Sequence, residues 1–192
     1  MDDNREFFKL IDKEKYQVFL FACPTQIPLN IALHSWFVVN NQGKISRWEI
    51  LSRQVSHKTK WDHLYLNFFL PFQGVEIISS SKKYFWKPKL LGKIEGKIAQ
   101  QMCEFIEKSP ISYPYCDKYH WRGPNSNTYT QWIINNFSEF SGRLPWRAIG
   151  KNYKMSRLRR CPTSTLNITK LSIQTVVKIA KGLGISINDL ME

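Results

Sequence analysis

Between Trp121 and Trp132 the chain reads Trp-Arg-Gly-Pro-Asn-Ser-Asn-Thr-Tyr-Thr-Gln-Trp, a rigid turn that runs straight into a helix. Gly123-Pro124 punctuates the backbone, and the short polar side chains of Asn125, Ser126 and Asn127 can accept hydrogen bonds from the first unpaired N–H groups of a helix starting here. Tyr129, Trp132, Ile133 and Phe137 follow at the i, i+3, i+4, i+8 spacing of one buried face. Ser126 is therefore expected at a helix N-terminus, where free N–H groups and the positive end of the dipole favour developing negative charge. Two roles fit that position. Ser126 is a nucleophile beside an oxyanion hole, or it is a helix cap, a role it would share with Asn125.

A chain of 192 residues is long enough for one well-buried domain with an appendage. An aromatic content of 14% argues for a packed core rather than a disordered polymer. The net charge of +13 attracts anions of any kind, so nucleic acid, anionic lipid and an acidic protein are all compatible partners, and it does not select among them. The four cysteines form no C-x-x-C pair, which reads as the reduced thiols of a cytoplasmic protein. Cys116 and His120 supply two potential metal ligands with no second pair, so neither metal nor cofactor is expected. The apolar run from Val18 to Cys23 is too short for a transmembrane segment.

The domain organisation follows from the order of these signals. Residues 1–15 form a polar lead-in with one amphipathic turn around Phe7, Phe8, Leu10 and Ile11. Tyr16 to Ala22, closed by Cys23-Pro24, reads as a buried strand. Leu33–Val39 and Lys44–Ile50 flank Asn40-Asn41-Gln42-Gly43, a hairpin turn. With the turn centred between Asn41 and Gln42, His34 falls opposite Glu49 on one face, and His34 reads either as a base or as a hydrogen-bonded core histidine. Val75–Ile78 resembles a short strand, while His57, Asp62 and His63 read as surface residues. Lys93–Lys108 has helical periodicity, with Ile94, Ile98, Met102, Phe105 and Ile106 on one face. Gly142–Gly150 reads as a loop.

The core is expected to end at residue 153, and 154–192 forms a small helical tail. Lys154, Arg157, Arg159 and Arg160 open it as a basic stretch, a candidate nucleic-acid contact. Ser172–Met191 looks like the closing two helices of a Cro/repressor-type helix-turn-helix domain. The upstream Arg160–Leu166 is too short and broken to hold a complete motif.

His34–Val39, Arg47–Ile50, Tyr113–Tyr115, Trp121–Tyr129 and Leu144–Tyr153 together resemble the bacterial domain-of-unknown-function family numbered 3750, over roughly Tyr16 to Tyr153. More distantly, a histidine opening a strand and a later Asn-X-Asn-X-aromatic turn into a helix are similar to circularly permuted papain-like folds. These include permuted NlpC-type peptidases, lecithin:retinol acyltransferase-like proteins and PPPDE peptidases. In them X is the nucleophilic cysteine and the strand histidine its base. The resemblance implies Ser126 as nucleophile, His34 as base and Glu49 as the orienting third group, with Asn125, Asn127 and Trp121 around the oxyanion and substrate. Serine in place of cysteine matters, because a hydroxyl needs a better-placed base than a thiol does. The expected fold is α+β: an antiparallel sheet packed on helices, permuted papain-like, with the helical tail appended. The expected function is a serine-dependent hydrolase or acyltransferase acting on an amide, ester or thioester of a small molecule, lipid or peptide. A non-catalytic binding module with the same cleft, and a nucleic-acid-associated protein using the basic tail, are the alternatives.

Overall fold

Six apolar residues in a row, Val18 to Cys23, alternate faces when extended, so such a strand must be covered on both sides. In the computed structural model, whose described residues are 5–25, 31–52, 61–77 and 84–154, that strand lies inside a five-stranded sheet. The chain divides into two units, Met1–Ser156 and Arg157–Glu192. The second, with Arg157, Arg159, Arg160 and the helix-turn-helix-like Ser172–Met191, lies outside the described residues.

A short helix α1 (Arg5–Phe8) precedes β1 (Tyr16–Pro24), β2 (Leu33–Asn41), β3 (Lys44–Ile50) and β4 (Leu64–Leu66). The two-residue strands β5 (Glu76–Ile77) and β6 (Tyr84–Phe85) pair with each other, and β7 (Lys89–Glu95) leads to α2 (Lys97–Glu107), α3 (Ser109–Ser112) and α4 (Ser126–Asn135). The main sheet runs β4-β3-β2-β1-β7, every pair antiparallel. The protein is thus α+β, an antiparallel sheet packed on helices.

Two clusters cover the two faces. Val18, Leu20, Phe37, Val39, Trp48 and Ile50 pack on Met102, Cys103, Ile106, Tyr129 and Ile133 of α2 and α4. Phe19, Phe21, Trp36 and Val38 face the other way, onto Phe7, Phe72 and Val75. Phe7 is 8% exposed, so the lead-in contributes to the core through α1.

Sequence periodicity misplaces one boundary. Lys93–Glu95 belongs to β7, where Ile94 pairs with Val18, and the helix begins only at Lys97. Gly96, at φ 79°, makes the break, in a backbone region that a residue with a Cβ rarely adopts. The apolar i, i+4 step from Ile94 to Ile98 spans the join between two elements. Gly142–Gly150 contains neither helix nor strand.

Candidate active site

The hairpin β2–β3 sets the first half of the site. Asn41 pairs with Lys44 and Phe37 with Trp48, so the loop is Gln42-Gly43 alone, with φ of 48° and 91°. The turn is therefore centred one residue later than the sequence suggests, which shifts the register by two. Continued one step beyond Phe37–Trp48, it sets Glu49 beside Trp36, and His34 reaches Glu49 diagonally. A shift of two preserves the face, so the interaction survives the error. His34 Nε2 and Glu49 Oε2 are 2.8 Å apart, and the imidazole stacks on Trp36 with centroids 5.7 Å apart.

Glu49 has no solvent exposure and Arg47, two residues back on the same face of β3, has none either. Arg47 Nη2 donates to the same Glu49 Oε2 at 2.7 Å. Burial pushes the Glu49 carboxyl up, but the Arg47 charge and the His34 bond outweigh it and hold the group below its usual range. An ionised carboxylate only accepts hydrogen bonds, so His34 Nε2 must carry a hydrogen, and in the neutral ring the lone pair is then on Nδ1. Nδ1 has no hydrogen-bond partner among the described residues.

The second half comes from the start of α4. Asn125, with φ −157°, is the cap: its Oδ1 accepts from the N–H groups of Asn127 (3.0 Å) and Thr128 (3.2 Å), and Thr128 Oγ1 accepts from the Asn125 N–H. Asn125 Nδ2 donates to the carbonyls of Trp121 and Ile149. Asn127 donates to the carbonyls of Leu33 and Ile149 and accepts from the fully buried Ser35 hydroxyl. Both asparagine side chains are committed to holding the turn, the strand end and the 144–153 segment together. The Ser126 hydroxyl is left over. It caps nothing, and neither its Oγ nor its N–H has a hydrogen-bond partner among the described residues.

A cavity of about 390 Å³ brings the two halves together, lined by His34 and Ser126 with Ile50, Val75, Tyr119 and Trp121 among its walls. Asn125 and Asn127 also line it. His34 and Ser126 are not hydrogen-bonded to each other. Glu49 sits behind His34, outside the lining. Trp121 is half-exposed at the rim, with the Arg122 guanidinium 4.5 Å from its ring centroid. Among the described residues, no lining side chain carries a fixed charge.

A family model described as a protein of unknown function (DUF3750) matches residues 15–153. The chain belongs to the DUF3750 family. The matched span of this DUF3750 protein contains His34, Arg47, Glu49, Trp121, Asn125, Ser126 and Asn127. No curated protein and no solved structure matches the chain.

Other residues singled out in the sequence fall elsewhere. Lys154 is exposed and does not line the cavity. His63, read as a surface residue, is buried beside the chain turn: its Nδ1 lies 2.8 Å from the Leu51 carbonyl and its ring 5.6 Å from that of Tyr119. Its polar sequence neighbours concealed that burial. Among the described residues no group of three or more His, Cys, Asp or Glu side chains could hold a metal. Arg47 was not singled out as a site residue, although the Arg-X-Glu spacing on a strand already puts both side chains on one face.

Proposed function

We propose that this DUF3750 protein is a serine-dependent hydrolase or acyltransferase of permuted papain-like design, acting on an amide, ester or thioester. The observation that carries the reading is the pairing, in one cavity, of a Ser126 hydroxyl with no partner among the described residues and a His34 whose Nε2 is engaged by Glu49, leaving Nδ1 unbonded. Ser126 Oγ attacks the substrate carbonyl carbon as its proton passes to His34 Nδ1, and the carbonyl π electrons move onto oxygen. The Ser126 N–H and the positive end of α4 face that oxyanion. When the C–O double bond re-forms, the leaving group departs with the proton from His34, and an acyl-serine remains. Water or another acceptor then attacks the acyl-serine by the same proton path. Glu49 stabilises the transient imidazolium and fixes the ring. The described lining, with Ile50, Val75 and Trp121 and no fixed charge, suits an apolar acyl portion.

The test is covalent labelling with a fluorophosphonate. Wild type should label, and Ser126→Ala and His34→Ala should not. Ser126→Cys should react with iodoacetamide faster than Cys23 and Cys103, whose thiols burial pushes up to about 12. No labelling of wild type, together with an introduced thiol no more reactive than a free cysteine, would leave a binding module in place of an enzyme.

A further inference from the structure

Arg47 is a full cation with no solvent exposure, on the sheet face opposite α2 and α4. Its guanidinium carbon lies 4.2 Å from the ring centroid of Trp36 and 5.2 Å from that of Phe69. Nη1 donates to the carbonyls of Leu70 and Gln73, and Nη2 to Glu49 Oε2. Nε makes no hydrogen bond, and Glu49 Oε1 is likewise unpaired and buried. A surface residue could bind two loop carbonyls without this cost in desolvation, and a purely structural aromatic cluster needs no ion pair at all. The feature that an apolar core could not reproduce is the single oxygen, Glu49 Oε2, shared between Arg47 and His34.

We propose that Arg47 is a positioning residue that decides which nitrogen of His34 carries the hydrogen, by anchoring Glu49 Oε2. The inference rests on the catalytic reading of Ser126 and His34. Without Arg47, Glu49 would keep His34 as a hydrogen-bond partner but lose its buried cation, and burial would favour its neutral acid. A neutral acid is a donor. Its O–H would donate to His34 Nε2, the ring hydrogen would move to Nδ1, and the nitrogen available to the cavity would no longer be a base. With Arg47 present the carboxylate stays an acceptor and the lone pair stays on Nδ1. Among the described residues, the titratable side chains around Glu49 on this face are Cys23 of β1, His34 of β2, Arg47 of β3 and Tyr65, which pairs with Glu49 from β4. With Cys23 held as a neutral thiol, Arg47 is the one cation among them that can oppose Glu49 when His34 is neutral.

The ¹⁵N spectrum of the histidine rings in the full-length protein tests this. Wild type should show His34 as the Nε2–H tautomer at neutral pH. Arg47→Met should show Nδ1–H at neutral pH and revert to Nε2–H as Glu49 ionises at higher pH, with fluorophosphonate labelling slowed about 10²-fold at neutral pH and recovering in alkali. The double variant Arg47→Met/Glu49→Gln should return to Nε2–H at every pH, because the amide oxygen accepts from Nε2 and nothing remains to titrate. If Arg47→Met fails to fold, folding of the double variant supports the proposal, since the fault is then the unpaired carboxyl. A folded Arg47→Met protein with His34 still Nε2–H, or a double variant that also fails to fold, would overturn it. The spectrum needs no activity, so a wild type that never labels defeats the catalytic reading while leaving the role of Arg47 decided.

Discussion

Three cap-forming residues in succession, Asn125, Ser126 and Asn127, made the central residue ambiguous at the level of sequence. The deciding contacts are distant: Asn125 Nδ2 on the Ile149 carbonyl and Asn127 Nδ2 on the carbonyls of Leu33 and Ile149. No local pattern encodes bonds across 22 to 94 residues of chain. Once made, they assign the cap to Asn125 and leave Ser126 without a structural duty. The expected consequence is a divergence between neighbours. Ser126→Ala should shift the urea midpoint little, whereas Asn125→Ala should cost at least about 1–2 kcal/mol, the range for losing a cap, and more because the Trp121 carbonyl loses its donor and Ile149 keeps only Asn127. Equal losses in the two variants would show that Ser126 shares the cap. The His34–Glu49 contact was legible for a different reason: period-two alternation fixes the face of a residue even when the register is off by two. Arg47 obeyed the same rule and was visible in principle, but an arginine at such a position reads as surface until the aromatic rings that enclose it are known.

At the scale of elements, the strands β1, β2 and β3 and the helix α4 were readable because each is long and strongly patterned. Short pieces were not. β7 was absorbed into the helix that follows it, and β4 and β6 draw their definition from partners rather than composition. The hairpin turn shows where local rules decide. Gln42 and Gly43 both adopt positive φ, a pairing normally filled by Asn-Gly, and Gln42 bears a side chain where the left-handed region costs about 1 kcal/mol. Gln42→Gly or Gln42→Asn should therefore raise the melting temperature by a few degrees without altering labelling of Ser126. A lower melting temperature in both would mean that the Gln42 side chain contributes a stabilising contact. A similar constraint operates at Gly150, φ 92°, where an added Cβ would meet the Asn125 amide at 2.5 to 2.8 Å.

For the molecule as a whole, the first unit, Met1–Ser156, carries the sheet, both core clusters and the candidate site. Tyr153 lies against Gly123, where an added Cβ would meet its ring at 2.9 Å, and edges onto Tyr115 with centroids 5.7 Å apart. A chain ending at Ser156 should accordingly keep one cooperative melting transition and the labelling properties of Ser126. Loss of that transition would make the remaining 157–192 a necessary part of the core. Most of the 28 basic residues precede Arg157, so the same truncation also locates any nucleic-acid affinity. If the basic tail is what binds, the salt-dependent affinity should vanish with it rather than persist in the shortened chain.

The carbonyls of Ile149 and Gly150 hold Asn125, Asn127 and Thr128, and Leu33 takes its backbone partner from Arg147. A ribosome makes the histidine strand early and the serine helix much later; Asn127 and Thr130 bond β2 directly, but the carbonyls that complete the restraint of Asn125, Asn127 and Thr128 are made last. The turn that carries Ser126 is thus fully restrained only when the core is all but finished. A chain stopped before residue 147 has His34, Glu49 and Ser126 but lacks the carbonyls that hold Asn125 and Thr128, so on the proposed reading it should label more slowly than the finished protein.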